Sequence, residues 1–370
     1  MYLVETLKKL ITFHTVTGNH DEIARAYDYI EEQLRGIPLH LHRYAFGGHE
    51  SLLATSSATR SPKLWLSAHI DVVPGGRSLF HPQQERGVLR GRGVFDMKFA
   101  IAIYVDILRS LGDEASNYDL GLMITADEEV GGMDGVRALL EKEGYRGDLA
   151  IIPDGGGEWC FEEFAKGMIR IRIEVVGASA HASRPWLGDN AITTLLNTIN
   201  AISAFGSTFI TDDEHHWHST ITFSRIEGGE AVNQVPDRAS VSADIRVIDE
   251  ADREAILEGI KTIVAKDPRV SYHIVMDEPA CGISPHNKEA LLFAGIARTL
   301  YGITMGWTRS HGASDARHFA RYGIPSLLVY PRGGGAHSDD EWVDINDLER
   351  YREVLHAFIK KVAIRSEDAR

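Results

Sequence analysis

Short apolar runs alternate with amphipathic stretches along the first part of the chain. A helix is predicted from about Asn19 to Leu34, because apolar residues recur there at helical spacing and Asn19 or Asp21 can cap its start. Buried strands are predicted at three apolar runs, Leu64 to Ala68, Leu120 to Ala126 and Leu149 to Pro153. Strands that alternate with helices in this way are typical of a layered α/β domain.

The pattern changes near Lys166. Strand, helix, strand, strand, helix and strand are predicted in turn over Met168 to Val176, Gly188 to Ile202, Thr220 to Ile226, Ala239 to Val247, Ala251 to Ala265 and Val270 to Met276. This order is that of a ferredoxin-like module. After Pro279 the α/β pattern returns, with a helix at Lys288 to Leu300, a strand at Ser326 to Tyr330 and a closing helix at Ile345 to Val362.

We therefore predict two domains, one inserted into the other. Residues 1–165 and 277–370 form an α/β/α catalytic domain with a mixed sheet, and residues 166–276 form an inserted ferredoxin-like α+β domain. Polar residues of chemical interest follow the predicted strands of the first domain at their carboxyl ends. Ligands of open α/β sheets bind at that edge.

Composition narrows the possible partners and compartments. The 370 residues carry 39 Lys plus Arg and 53 Asp plus Glu, a net charge of −14, which argues against a nucleic-acid partner. No apolar run reaches the roughly 18 residues of a membrane span, and the amphipathic start resembles neither a signal nor a transit peptide. Two cysteines, Cys160 and Cys281, are too few for a disulfide framework. We expect a soluble, cytoplasmic protein with no membrane partner.

Five potential metal ligands stand at strand ends or in glycine-rich turns: His69, Asp96, Glu129, Asp154 and His337. Imidazole and carboxylate together suit zinc, with cobalt or manganese as substitutes. Two histidines and three carboxylates exceed what one tetrahedral zinc needs. The set therefore predicts two divalent metal ions that share a bridging carboxylate.

Two neighbours of these ligands have predicted supporting roles. Asp71 follows His69 by two positions, so its carboxylate can orient the imidazole. Glu128 precedes Glu129, and adjacent side chains of an extended segment point to opposite sides. Glu129 can therefore bind metal while Glu128 faces the substrate as a general base.

Five segments in this order resemble the M20 family of zinc metallohydrolases: HIDVVPG, GRGVFDMK, EEVGG, a PD pair after an apolar strand, and GAHSDDE. The family includes acetylornithine deacetylase, succinyl-diaminopimelate desuccinylase, aminoacylases, glutamate carboxypeptidase and dipeptidases. The resemblance covers nearly the whole chain, the inserted domain included. It implies that Asp96 bridges two metals, that His69 and Asp154 complete one site, and that Glu129 and His337 complete the other.

The resemblance also implies roles for other residues. Asp71 would hold a metal-binding histidine, and Glu128 would act as base and proton shuttle. The inserted domain would be a lid that also forms a homodimer, with His181 reaching the carbonyl oxygen of the scissile amide, often from the partner subunit. Asn233 and Arg246 would hold a substrate carboxylate, to which the planar guanidinium is suited. An ion pair of Arg246 with Asp244 or Asp249 is the structural alternative.

One departure from the family pattern bears on the substrate. Deacylases and carboxypeptidases of the family have glutamate in a GEP-type turn, where this chain has Asp154 followed by three glycines. Aspartate is similar to the dipeptidase and aminopeptidase branch. A small peptide and an N-acyl amino acid both stay open as substrates, and a catalytically silent, metal-stabilised peptide-binding protein is the alternative of another class.

Other candidate motifs receive no catalytic role. His215, His216 and His218 are predicted to lie in an exposed loop of the inserted domain. Ser314 and Asp315, in the segment HGASDAR, are given no metal role. The sequence has no GxxxxGK[ST] loop, GxSxG elbow or HExxH motif, so nucleotide-driven, serine-hydrolase and zincin chemistry lack their signatures.

Overall fold

A computed structural model describes residues 2–211 and 216–365, and the chain divides into two compact units. Unit 1 comprises Met1–Phe164, Gly282–Ser310 and Ser314–Arg370, and unit 2 comprises Ala165–Cys281 and His311–Ala313. The mixed α/β class predicted from the sequence is confirmed. Among the described residues, no helix is both long and apolar enough to cross a membrane.

The helices and strands of the described residues are numbered along the chain. The helices are α1 Tyr2–Ile11, α2 His20–Leu34, α3 Lys98–Leu111, α4 Val136–Glu141, α5 Ala191–Gly206, α6 Glu250–Val264, α7 Lys288–Tyr301, α8 Ala316–Ala320 and α9 Ile345–Val362. The strands before residue 200 are β1 His40–Phe46, β2 His49–Thr55, β3 Leu64–His69, β4 Gln83–Glu85, β5 Val88–Arg90, β6 Leu120–Thr125, β7 Leu149–Ile151, β8 Cys160–Ala165, β9 Gly167–Val176 and β10 Ala180–His181. The later strands are β11 Thr220–Gly228, β12 Gln234–Val235, β13 Arg238–Val247, β14 Val270–Glu278, β15 Gly306–Ser310, β16 Ser326–Leu327, β17 Gly333–Gly334 and β18 Trp342–Asp344.

The main sheet of unit 1 has the strand order β1-β2-β6-β3-β7-β16. Strands β6, β3, β7 and β16 are parallel, and β1 and β2 continue the sheet in antiparallel pairing. Every residue of β3 and β6 is buried, as expected for central parallel strands with elements on both faces. Helix α3 packs against β3, and α2 packs against β2.

The register of the parallel strands brings their carboxyl ends to one edge. His69, the last residue of β3, lies opposite Thr125, the last residue of β6. Leu66 of β3 lies opposite Ile151, the last residue of β7. The segments that follow these strands therefore leave the sheet on the same side.

Unit 2 contains a four-stranded antiparallel sheet in the order β11-β13-β9-β14. Helices α5 and α6 contribute to one hydrophobic core with this sheet, which includes Ile173, Leu195, Ile245 and Ile256. The connectivity is the predicted ferredoxin-like one. At the ends of its longer segment, Ala165 and Cys281 exchange two backbone hydrogen bonds of 2.7 and 3.2 Å, so this segment begins and ends at adjacent points.

Some local predictions differ from the structure. The strand predicted at Ser326 to Tyr330 ends at Leu327. The exposed-loop prediction fits His216 but is wrong for His218, which is buried and whose carbonyl accepts a 2.6 Å hydrogen bond from Lys166 Nζ. His215 lies outside the described residues.

Candidate active site

Two histidines approach one carboxylate at the carboxyl edge of the main sheet. His69 is buried at the end of β3, and its Nε2 lies 3.0 Å from Asp96 Oδ1. His337 Nε2 lies 3.1 Å from Asp96 Oδ2 and 3.0 Å from Glu129 Oε2. Asp96 stands two residues before α3, and Glu129 lies in the short 3-10 turn after β6. Both oxygens of Asp96 therefore face an imidazole.

The five predicted ligands form two groups that share Asp96. One consists of His69, Asp96 and Asp154, and the other of Asp96, Glu129 and His337. Within each group the ligand atoms lie within 4.8 Å of one another. Among the described residues, these are the only groups of three such side chains with that spacing.

The electrostatics of the two groups favour added positive charge. Burial, and after it the charge of Asp96, raises the pKa of Asp154 to about 7. The hydrogen bond to Asp96 raises the pKa of His337 to about 9. Burial alone would raise the pKa of Asp96, but hydrogen bonds from His337 and His69 outweigh it and hold the pKa below its usual range.

One buried oxygen tests whether the groups fit a cation. Glu129 Oε1 is buried and has no hydrogen-bond partner, although Oε2 of the same carboxylate contacts His337. An unpaired buried carboxylate oxygen is costly unless a cation or donor meets it. Imidazole nitrogens and carboxylate oxygens together are a donor set for zinc and similar divalent ions. The residues present therefore fit divalent metal ions.

Glu128 lies beside these groups without belonging to either. Its side chain is 14% exposed, and its Oε1 lies 3.9 Å from Arg317 Nη1. Burial, followed by the charge of Asp154, raises the pKa of Glu128 well above its usual value. A carboxyl group in such surroundings can take up a proton and release it again.

Asp71 joins β3 to the turn that carries both glutamates. Its carboxylate accepts hydrogen bonds from Thr17 Oγ1 at 2.8 Å and from the backbone N–H groups of Glu128 and Glu129 at 3.3 Å each. Its backbone oxygen lies 3.0 Å from His69 Nδ1, and its Oδ1 lies 3.5 Å from the same nitrogen. Asp71 therefore contacts the imidazole mainly through its carbonyl, and its carboxylate holds the glutamate turn.

The remaining predicted site residues belong to unit 2. His181 is exposed, and Ser183 N donates a 3.2 Å hydrogen bond to its Nδ1. Ala182 N donates to the Asn233 carbonyl at 2.9 Å, so His181 and Asn233 lie on adjoining segments. Arg246 Nε donates to Asp244 Oδ1 at 2.7 Å, which is the ion pair foreseen as the structural alternative.

The sequence model of peptidase family M20/M25/M40 matches residues 65–361. The chain belongs to this family. It is therefore a hydrolase of amide bonds, and the predicted M20 resemblance is confirmed.

Several M20 relatives resemble the chain over most of its length. A succinyl-diaminopimelate desuccinylase from Corynebacterium glutamicum is 26% identical over 365 residues, which cover 96% of this chain and 95% of the relative. A probable carboxypeptidase from Emericella nidulans is 24% identical over 397 residues, which cover 96% of this chain and 89% of the relative. The crystal structure of aminopeptidase PepT from Bacillus cereus superposes with a TM-score of 0.75 at 20% identity and 98% coverage of both chains, which shows a common fold.

Sequence reasoning missed three side chains at this M20 site. Thr17 donates to Asp71, Arg317 lies beside Glu128, and the buried Glu341 accepts hydrogen bonds from the segment that leads to Asp96. Arg317 and Glu341 stand in the segments HGASDAR and GAHSDDE, so the motifs contained them. Their partners are far away in sequence, and no local pattern reveals such contacts.

Proposed function

We propose that this chain hydrolyses the amide bond of a small peptide or N-acyl amino acid bearing a free carboxylate, with two divalent metal ions. Zinc is the first choice, and cobalt or manganese are substitutes. The observation that carries the proposal is that two three-residue ligand groups share Asp96. The buried oxygen of Glu129 that lacks a partner supports it.

His69, Asp96 and Asp154 would hold one ion, and Asp96, Glu129 and His337 would hold the other. Divalent ions there supply positive charge that polarises an amide carbonyl and acidifies water. The neighbouring residues must keep the ligands in place and exclude competing water. The burial of His69 and the hydrogen bonds of Asp71 suit those tasks.

Glu128 would carry the proton. It accepts a proton from the attacking water as the oxygen–carbon bond forms, and it returns this proton to the amine as the carbon–nitrogen bond breaks. One carboxylate can serve both steps because it holds the proton between them as a carboxylic acid and is a carboxylate again once the proton has passed to the amine. Arg317, 3.9 Å away, provides a fixed positive charge beside it.

Unit 2 would supply the remaining contacts. His181 would stabilise the negative charge that develops on the carbonyl oxygen, and Asn233 and Arg246 would bind the substrate carboxylate. For Arg246 this requires sharing or leaving its ion pair with Asp244. The unit would act as a lid and as the contact surface of a homodimer.

The choice between peptide and N-acyl substrate depends on Asp154. Aspartate at this position favours the peptidase branch, in keeping with the name of the Bacillus cereus aminopeptidase. The Corynebacterium glutamicum desuccinylase, similar over nearly the whole chain, favours an N-acyl amino acid as the second candidate.

The test is hydrolysis of a mixed panel of dipeptides, tripeptides and N-acyl amino acids by the zinc- or cobalt-loaded protein. The chelated protein and the Glu128→Ala variant are the controls. We expect metal-dependent cleavage that Glu128→Ala abolishes while its metal content stays at the parent level. Cleavage confined to N-acyl substrates would reject the peptidase assignment, and substantial turnover by Glu128→Ala would reject the proton-transfer role.

A further inference from the structure

Glu341 binds the segment that leads to Asp96. The residue is 2% exposed. Its Oε1 accepts hydrogen bonds from Phe95 N at 2.8 Å and from Asp96 N at 2.9 Å, and its Oε2 accepts one from Gly93 N at 2.8 Å. A single buried carboxylate thus fixes three backbone groups of one turn, including the amide of Asp96 itself.

Arg92 completes this arrangement from the opposite direction. Its Nη1 donates to Glu341 Oε2 at 3.2 Å and to the Ser338 carbonyl at 2.9 Å. Ser338 directly follows His337, and Glu341 follows four residues after it. Contacts therefore run in both directions between the Asp96 segment and the His337 segment, which are more than 200 residues apart in sequence.

A carboxylate such as that of Glu341 binds these N–H donors better than an uncharged side chain would. Four donors meet its two oxygens, and carboxylate bonds to N–H groups and to guanidinium are charge-assisted. A glutamine of the same shape would turn an NH₂ group toward at least one of these N–H donors. Such a substitution keeps the volume and disturbs the orientation of the turn.

We propose that Glu341 and Arg92 form a positioning pair that sets the distance between Asp96 and His337 and thereby the affinity for divalent metal. The inference rests on the proposed function, because it assumes that Asp96 and His337 are ligands. Neither member of the pair touches the reacting atoms. The pair acts by fixing the orientation of two segments that are also joined where β5 pairs with β18, at Arg90 and Trp342.

The arrangement predicts unequal effects on the two metal positions. Asp96 is common to both ligand groups, whereas His337 belongs to only one of them. Loss of the pair should therefore lower the metal affinity of the group Asp96, Glu129 and His337 more than that of the group His69, Asp96 and Asp154. Loss of a residue that orients metal ligands commonly costs about 10- to 100-fold in metal affinity.

The test compares Glu341→Gln and Arg92→Lys with the parent by equilibrium dialysis of the metal-free proteins against Co²⁺. The visible absorption of bound cobalt reports the ligand geometry. Asp106→Asn is the matched control, because Asp106 pairs with Arg352 Nε at 2.7 Å elsewhere in unit 1 and its substitution also removes a carboxylate charge. Arg92→Lys keeps the positive charge, but its side chain is one bond shorter, so its ammonium falls short of the position from which Arg92 Nη1 contacts both Ser338 O and Glu341 Oε2.

We expect Asp106→Asn to bind two Co²⁺ ions with the same two affinities as the parent. Glu341→Gln should lose about tenfold or more in affinity for one ion and less for the other, with Arg92→Lys shifted in the same direction. Equal affinities in parent and both variants would overturn the inference, even if thermal stability fell. An equal loss in Asp106→Asn would also overturn it.

The outcome for the parent separates this inference from the proposed function. A parent that binds fewer than two Co²⁺ would contradict the two-metal proposal whatever the variants do. If Glu341→Gln does not fold, Arg92→Lys decides, and parent-like cobalt affinity and absorption in that variant would refute the positioning role.

Discussion

The Asp71→Asn substitution should lower both the stability of unit 1 and its affinity for divalent metal. The carboxylate accepts hydrogen bonds from Thr17 Oγ1, Glu128 N and Glu129 N, and the side chain is fully buried. In its best orientation, the asparagine amide oxygen replaces Oδ2 and keeps the bonds from Thr17 and Glu129. The amide NH₂ then faces the Glu128 N–H, which loses its acceptor.

The magnitude follows from these contacts. One buried donor without an acceptor costs about 1–3 kcal/mol, and the two surviving bonds lose their charge assistance at about 1 kcal/mol each. Removing a buried charge recovers part of this, so we expect about 3 kcal/mol of lost stability. The glutamate turn should also shift, with a fall of about 10- to 100-fold in metal affinity.

The assay is urea unfolding of the metal-free proteins, followed by tryptophan fluorescence, with a separate cobalt titration. Thr17→Val is the matched control, because it removes one donor to Asp71 and leaves the carboxylate with both backbone N–H bonds. That variant should lose about 1 kcal/mol. An Asp71→Asn protein no less stable than Thr17→Val, with parent metal affinity, would refute the reasoning.

Three further predictions concern stability. Chelation should lower the thermal midpoint, because bound metal stabilises the folded state by mass action, and an unchanged midpoint in scanning fluorimetry would count against tight binding. Tyr104→Phe should lower the free energy of unfolding in urea by about 1–2 kcal/mol, because the buried hydroxyl donates a hydrogen bond to Ile151 O at 3.0 Å. An unchanged free energy would show that water or another donor satisfies that carbonyl. Burial, followed by the charge of Arg352, lowers the pKa of His356 from 6.5 to about 4, so the unfolded state binds the extra proton between these values. The neutral His356 side chain therefore contributes fully to stability above pH 6.5, and this contribution is lost as the pH falls toward 4. In the His356→Gln variant, the free energy of unfolding should depend less on pH between these values.

The elements that the sequence predicted well are those with one clear periodic signal. Helix α9 begins and ends at the predicted residues because its amphipathic repeat is regular and Asp344 caps its start, accepting a hydrogen bond from Asp347 N. Strands β3 and β6 were visible as continuous apolar runs. Helix α3 was missed because it is buried on nearly all sides and so lacks a polar face. The hairpin of β1 and β2 was missed because β1 is an edge strand with little burial.

In the candidate site, too, some features could be predicted from the sequence and others could not. The predicted ligands stand at strand ends and turns, so topology brings them together once the parallel sheet forms. Glu341 was beyond prediction, because its role depends on backbone N–H groups whose direction only the folded turn defines. The backbone conformation of His337, with φ of +63°, is likewise invisible in sequence.

The adjacent ends of unit 2 have a consequence for chain connectivity. Ala165 and Cys281 are joined by reciprocal hydrogen bonds, so a segment of more than a hundred residues spans no more distance than a tight turn does. Once unit 2 has folded, it closes the surrounding chain as a short loop would, and most of the entropic penalty of a long flexible insertion disappears. The segment from Ala165 to Cys281 could therefore be replaced by a short turn, or by a homologous module with equally close ends, without stretching the chain on either side of it.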